Sequence, residues 1–296
     1  MKRWILLHRS AKAFPHAMAV PQVDNGQMAT DMHSDGAGPP SNPSTQPGAG
    51  NIFWPHHFLV EDLPNARILT WGYDADVTKA FDFASQSSIS QNANQLLSDL
   101  ANERTNSSQR TRPLIFISHS LGGIVVKDAL GKVQTSKLDH LKNILPSVKG
   151  VCFLGTPHRG SSTASLGKVA YNITRLTWNQ PNTGLLESLK RNSNDLERIS
   201  ERFAELLDEK KFQIHSFRET KPMKGMMVVE NFSSRIGDAN EGQDEIQANH
   251  SGMTKFPSRT DPGYRRVLAV LNRWSIDIQA TKREVCLQPA SRDISR

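Results

Sequence analysis

Short apolar runs alternate with longer amphipathic segments along this chain, and the alternation predicts strands followed by helices. The apolar runs predict strands at residues 66–73, 113–117, 148–154, 212–217 and 226–229. Apolar positions at helical spacing predict helices within residues 81–100, after the turn at 118–123, within 164–208 and within 261–274. The last helix has Asp261 as a candidate N-cap and Pro262 at its first position. Strands that alternate with helices indicate an α/β fold, with a mostly parallel central sheet covered by helices on both faces.

A polar segment precedes the first of these strands. Residues 24–50 are rich in Gly, Pro, Ser, Asn and Gln, so they cannot bury enough apolar surface to offset the entropy lost on ordering. Residues 1–19 carry basic but no acidic side chains, as mitochondrial presequences do. We therefore predict a disordered or targeting segment at 1–50, an α/β domain at 51–280 and a flexible C-terminal tail at 281–296.

One stretch, Arg112–Ala129, places a serine at a sharp turn between a predicted strand and a predicted helix. Its turn reads Ser-His-Ser-Leu-Gly-Gly at 118–123. This approximates Gly-x-Ser-x-Gly, the nucleophile elbow of α/β-hydrolases, with Ser118 in place of the first glycine. Small residues suit a turn where strand and helix backbones pass close together. Ser120 is the candidate nucleophile, and an ordinary Ser/Gly turn is the alternative.

Chain order supplies candidates for the other two members of a triad, because these hydrolases place the acid and then the histidine after the serine. His250 is the histidine that lies in a polar loop beyond the late predicted strands. Glu219 is the first carboxylate after the strand at 212–217 and would hold the imidazole in the right tautomer. Rival acids are Glu230, Asp238, Glu241 and Asp244.

Other residues are candidates to line the pocket or form the elbow. They follow predicted strand ends, where open α/β sheets bind ligands: His119, Gly122, Gly123, Thr156, Pro157 and His158. The alternative for each histidine in this set is a purely structural packing role.

Composition narrows the function classes. The net charge is +7, from 36 Lys and Arg against 29 Asp and Glu, but the basic residues are dispersed, so we predict no nucleic-acid partner. The two cysteines, Cys152 and Cys286, fit neither a disulfide framework nor a metal site, which favours an intracellular, reducing location. We expect no metal and no cofactor. No apolar run is long enough for a transmembrane helix.

Several motifs occur in one order and together resemble a known family. They are Phe-Trp-Pro at 53–55, Leu-Pro-Asn-Ala-Arg-Ile at 63–68, Gly-Tyr at 72–73, Ser-His-Ser-Leu-Gly-Gly-Ile-Val-Val-Lys at 118–127, Phe-Leu-Gly-Thr-Pro-His-Arg-Gly-Ser at 153–161, Ser-Phe-Arg-Glu-Thr at 216–220, Ala-Asn-His at 248–250 and Asp-Pro-Gly-Tyr at 261–264. Over residues 52–275 the chain resembles the SERAC-like lipase/esterase family. The same module occurs at the N-terminus of NACHT- and ankyrin-type signalling proteins, and the GPI inositol-deacylases are relatives.

This resemblance implies an α/β-hydrolase with Ser120 as nucleophile, Glu219 as acid and His250 as base. It implies a carboxylic ester substrate, in particular a lipid acyl ester, and is compatible with peripheral membrane contact. The implied locations are the cytoplasm or the membranes of mitochondria and endoplasmic reticulum. The sequence does not set an oligomeric state.

Two departures from the family pattern concern the machinery around the serine. Ser118 replaces the usual glycine, and the apolar strand and His-Gly-Leu-Gly-Gly type loop that normally precede Phe-Trp-Pro are not visible. That loop supplies one oxyanion donor, and the backbone N–H of Leu121 supplies the other. We therefore expect a missing or degraded N-terminal strand and oxyanion loop, with residues 4–8 as a remnant too far upstream to assign. Alternatives are a catalytically impaired module acting in signalling or protein interaction, and an imperfect gene model upstream of residue 52.

Overall fold

Parallel strands form one sheet at the centre of the computed structural model, which describes residues 3–8, 52–72, 86–158, 193–209, 212–229 and 234–287. The strands are β1 Arg3–His8, β2 Ala66–Trp71, β3 Leu114–His119, β4 Val148–Leu154, β5 Gln213–Glu219 and β6 Glu241–Ile246. Their spatial order is β2-β1-β3-β4-β5-β6, and every neighbouring pair is parallel. The predicted α/β class is therefore confirmed.

Strand β1 corrects the expectation of a missing or degraded N-terminal strand. It lies between β2 and β3, with Leu6 paired to Leu69 on one side and to Phe116 on the other. The strand belongs to the stretch predicted to be disordered or targeting. Its run of apolar residues suits a parallel strand flanked on both sides, but its partners are distant in sequence and the intervening polar segment concealed the pairing. The expectation of a missing or degraded oxyanion loop concerns the residues between β1 and residue 52, which lie outside the described ranges.

Helices cover both faces of the sheet. They are α1 Gln86–Asn102, α2 Gly122–Thr135, α3 Ser193–Asp208 and α4 Pro262–Leu287. Short helical turns lie at Pro55–Leu59, Val60–Asp62, Ser107–Arg110 and Ile144–Ser147. The helices α1, α2 and α3 share one apolar cluster with one face of the sheet, and α4 shares a second cluster with residues 54–63 and the opposite face.

The start of α4 matches its sequence signals. The Asp261 side chain accepts hydrogen bonds from the backbone N–H groups of Gly263 and Tyr264 at 2.8 and 3.2 Å, as an N-cap does. The helix continues to Leu287, past its predicted end at 274 and into the predicted tail. The predicted helical residues 81–85 and 164–192 lie outside the described ranges.

The strand predicted at 226–229 is wrong. Those residues follow a tight turn in which Met223 pairs with Met226 as an isolated bridge. The strand that comes last in the sheet is β6, whose sequence, Glu-Gly-Gln-Asp-Glu-Ile, has almost no apolar signal. Because β6 lies at the sheet edge, most of its side chains stay partly exposed and need not be apolar.

Candidate active site

Ser120 lies in a strained turn between β3 and α2. Its φ angle is +57°, in the left-handed region that non-glycine residues rarely adopt. Its N–H donates to the carbonyl of Leu154 at 2.9 Å, which ties the turn to the end of β4. Ser118 is buried in β3, and its hydroxyl approaches the carbonyl of Cys152 at 3.4 Å. The strand therefore accommodates Ser118 in place of the usual glycine.

Three polar side chains are joined in series at the carboxyl ends of the strands. The Oγ atom of Ser120 lies 2.9 Å from Nε2 of His250, and Nδ1 of His250 lies 2.6 Å from Oε2 of Glu219. All three residues are buried, with exposed fractions of 8%, 2% and 1%. A carboxylate only accepts hydrogen bonds, so Nδ1 carries the proton and Nε2 is left to accept from the serine. Bonds this well screened from water are strong.

Backbone donors fix the second oxygen of Glu219. Its Oε1 accepts from the N–H groups of Val228 and Val229 at 2.7 and 3.1 Å. Both carboxylate oxygens are thus engaged, one by the loop at 228–229 and the other by His250. This contact gives residues 226–229, predicted as a strand, a different role: they hold the acid.

The structure does not bring the rival acids to His250. Glu241 accepts from the backbone of Ile236 and Gly237 at 3.0 and 2.9 Å, and Asp238 accepts from Asn240 at 2.7 Å. Asp244 lies on β6 beside Arg266, 3.8 Å away. Glu230 lies outside the described residues. Within the described chain, Glu219 is the one of these acids that pairs with His250.

Gly155, in the Gly-Thr-Pro-His segment after β4, makes room for the histidine. Gly155 has a φ angle of +55°. A Cβ atom there would lie 3.1 Å from Nδ1 of His250 and 2.7 Å from the sulfur of Met253. The Gly-Thr-Pro-His motif contained the signal, since a glycine at a strand end often marks positive φ, but the chain alone did not reveal which side chain needed the space.

The other predicted site residues lie around the elbow. Leu121 is the N-cap of α2, where backbone N–H groups have no acceptor within the helix and can bind a negative charge. Gly122 and Gly123 form the first turn of that helix. A Cβ atom on Gly123 would lie within 2.8 Å of three side-chain atoms of Thr156, so the close approach requires glycine.

The Thr-Pro-His segment after β4 packs behind the elbow. Thr156, Pro157 and His158 are all buried. The His158 ring contacts Phe153 edge-on with centroids 4.6 Å apart, and its Nε2 lies 3.5 Å from the hydroxyl of Ser216. His119 instead faces the base, with Nε2 2.9 Å from the backbone oxygen of His250.

A second group of contacts holds the loop after His250. The indole N–H of Trp54 donates to the carbonyl of Thr254 at 3.0 Å. Asp62 accepts from the hydroxyl of Tyr264 and pairs with Arg259, and burial together with Asp62 raises the pKa of Tyr264. Trp54 of Phe-Trp-Pro thus anchors the loop after His250, and Asp62 ties Tyr264 of Asp-Pro-Gly-Tyr and Arg259 to the short helix that follows Trp54.

The described residues contain no group of His, Cys, Asp and Glu side chains able to hold a metal ion. Nor does any helix among them have the length and apolar character needed to cross a membrane.

The parallel sheet, the strained serine between strand and helix and the hydrogen-bonded histidine and carboxylate define an α/β-hydrolase. Residues 57–257 match the family model described as "Putative serine esterase (DUF676)". The chain belongs to this family, and the SERAC-like resemblance is confirmed.

Curated relatives and a solved structure are similar to this chain over much of its length. Protein SERAC1 of Mus musculus is 31% identical over 224 residues, which is 73% of this chain and 32% of that protein. Protein SERAC1 of Homo sapiens is 30% identical over the same shares. The chain thus spans about a third of the length of these relatives. The mature lipase BlEst2 of Bacillus licheniformis is 16% identical with a TM-score of 0.46, covering 69% of this chain and 80% of the lipase.

Proposed function

We propose that the protein is a serine hydrolase of carboxylic esters. The observation that carries the proposal is the continuous hydrogen-bonded series from Ser120 through His250 to Glu219. Membership of a serine esterase family supports the same reaction class.

In the proposed mechanism, Ser120 Oγ attacks the ester carbonyl while Nε2 of His250 removes the hydroxyl proton. Glu219 stabilises the imidazolium through Nδ1–H, and the backbone N–H of Leu121 stabilises the oxyanion. His250 then returns the proton to the leaving alcohol. Water, activated by the same nitrogen, hydrolyses the acyl-enzyme and regenerates Ser120.

A fluorophosphonate probe tests the nucleophile directly. We expect covalent labelling of the wild type, loss of labelling in Ser120→Ala, and normal labelling in Ser107→Ala, a matched change at an exposed helix start. Turnover of p-nitrophenyl esters should follow the same order. Folded wild-type protein that neither labels nor turns over would favour the catalytically impaired signalling or interaction module instead.

The finer proposal is a lipid acyl ester presented at a membrane surface, within the cell. The family resemblance supports it, and so does the hairpin at 221–227, which directly follows the strand of Glu219. Met226, directly after the Lys224-Gly225 turn, is 38% exposed, and the nearby Lys221 and Lys224 are also exposed. An exposed apolar side chain next to two cations suits an anionic lipid interface.

Met226→Ser tests this surface. We expect the ratio of activity on esters in phosphatidylglycerol vesicles to activity on a soluble short-chain ester to fall several-fold, because less apolar area enters the bilayer. Leu138→Ser is the matched control, because Leu138 is an apolar residue that is 55% exposed and lies outside the hairpin; it should leave the ratio unchanged. Equal ratios in both variants would contradict the membrane contact.

A further inference from the structure

His119, the residue between Ser118 and Ser120, reaches across to the histidine loop. Its Nε2 lies 2.9 Å from the backbone oxygen of His250, and the two imidazole rings have centroids 4.9 Å apart at 38°. A carbonyl oxygen only accepts, so Nε2 of His119 is the donor and carries a proton. One turn therefore contacts His250 twice: Ser120 at the ring and His119 at the main chain.

The main-chain contact matters because His250 sits in a loop rather than on a regular element. The backbone oxygen of Ala248 accepts from Thr220 and Lys221 at 3.2 and 3.1 Å, which fixes the loop to the end of β5. After His250, the N–H groups of Gly252 and Met253 donate to the backbone oxygen of Asn249, which closes the turn that contains His250. The hydrogen bond from His119 instead fixes the His250 peptide to β3, the strand that leads into the nucleophile.

We propose that His119 is a positioning residue that sets the distance between His250 and Ser120. The proposal rests on the proposed function, since it assigns a role within the same site. Without the donor, the His250 peptide loses its hydrogen bond to the turn after β3, and Nε2 samples positions away from the serine hydroxyl. A misplacement of about 1 Å costs up to about 10²-fold in rate. Substrate binding is unaffected, because His119 acts through His250.

Two substitutions separate positioning from simple packing. His119→Phe keeps a ring of similar size and removes the donor, whereas His119→Gln places an amide N–H near the position of Nε2. We expect the phenylalanine variant to lower both kcat and the rate of fluorophosphonate labelling by about tenfold or more, with KM within about twofold. The glutamine variant should recover most of the rate.

A comparison of His119→Gln with His119→Asn keeps the test decisive if the phenylalanine variant fails to fold. His119→Asn is as polar as His119→Gln, but its shorter side chain cannot reach the His250 carbonyl. The asparagine variant should therefore be slow where the glutamine variant is fast. His57→Phe, at an exposed histidine, is the matched control and should label at the wild-type rate.

Distinct results overturn this inference and the proposed function. If the wild type labels and every folded His119 variant labels equally fast, the positioning role is wrong and the hydrolase assignment stands. Equal losses in the glutamine and asparagine variants, or a loss confined to KM, also contradict positioning. If the folded wild type does not label at all, the proposed function itself fails.

Discussion

At the scale of single residues, Glu219 combines burial with a full set of hydrogen bonds. Its carboxylate takes three donors, two from backbone and one from His250. A substitution that removes the charge of Glu219 and keeps its shape therefore tests how this residue orients His250, and not how it packs.

We expect Glu219→Gln to lower kcat by roughly 10⁴-fold. The amide nitrogen donates toward Nδ1 and favours the tautomer in which Nε2 carries the proton, so the histidine cannot accept from Ser120. Turnover of a soluble ester measures the effect. Glu205→Gln, on the exposed side of α3, is the control and should retain wild-type turnover; a comparable loss there would show that the assay reports general damage.

Protonation of His215 makes the free energy of unfolding depend on pH. Burial lowers the pKa of His215, and Arg273 adds to this, while Asp244 and Glu241 oppose it. Since the folded pKa lies below the unfolded value of about 6.5, the unfolded chain binds this proton more readily. The contribution of His215 to the free energy of unfolding is therefore fully present above pH about 6.5 and is lost as the pH falls through the folded pKa.

We expect the wild-type free energy of unfolding to fall below pH 6.5, with this residue contributing at most about 1.4 kcal/mol per pH unit. His215→Gln should show a shallower decrease between pH 6.5 and 5. Urea titrations at several pH values measure both slopes, with His140→Gln, an exposed histidine, as control. Parallel slopes in all three proteins would show that His215 does not set the acid limb.

At the scale of elements, the sequence predicted what local pattern determines. The β3–turn–α2 unit and β4 are largely buried and mostly apolar, and β5 alternates apolar with polar residues; each strand lies within a few residues of its predicted limits. Ser120 and Glu219 could be selected because they lie at the ends of predicted strands, and His250 because it comes last in a known chain order, although the strand before it is β6 and not the one predicted at 226–229. Strand β6 was not predicted because an edge strand needs no apolar pattern, and β1 was not assigned to the sheet because its strand partners are distant in sequence. The contact of His119 with the backbone of His250 could not be foreseen, since sequence order does not give side-chain reach.

We expect Leu6→Pro to prevent stable folding. Leu6 lies in the middle of β1, between β2 and β3, where proline removes a backbone donor that the sheet needs. The lost hydrogen bond alone costs about 1–3 kcal/mol. Leu6→Val retains the donor and should fold, as followed by urea unfolding. A stable Leu6→Pro protein would show that β1 is dispensable to the sheet.

At the scale of the whole molecule, two apolar clusters sandwich the sheet, and α4 closes the second one. This layer requires Gly150 in β4, because a Cβ atom there would lie 2.4 Å from the indole ring of Trp274. Trp274 is buried, so the ring has little freedom to retreat.

We expect Gly150→Ala to lower the free energy of unfolding by about 1–3 kcal/mol through overpacking. In the Trp274→Leu background, Gly150→Ala should lower the free energy of unfolding by less than it does in the wild type, because the smaller side chain leaves room for the methyl group. Denaturant unfolding of the four proteins measures the coupling. Strictly additive losses would contradict the close contact.

The central position of β1 also has a kinetic consequence. The ribosome makes β1 well before its neighbours β2 and β3, so the strand has no sheet partner until β2 has been synthesised and only one until the elbow region follows. Completing the sheet then requires closing loops of more than fifty residues on either side, an entropic cost that slows folding. Because Ser120 directly follows β3, which pairs with β1, the turn that holds the serine depends on this long-range pairing.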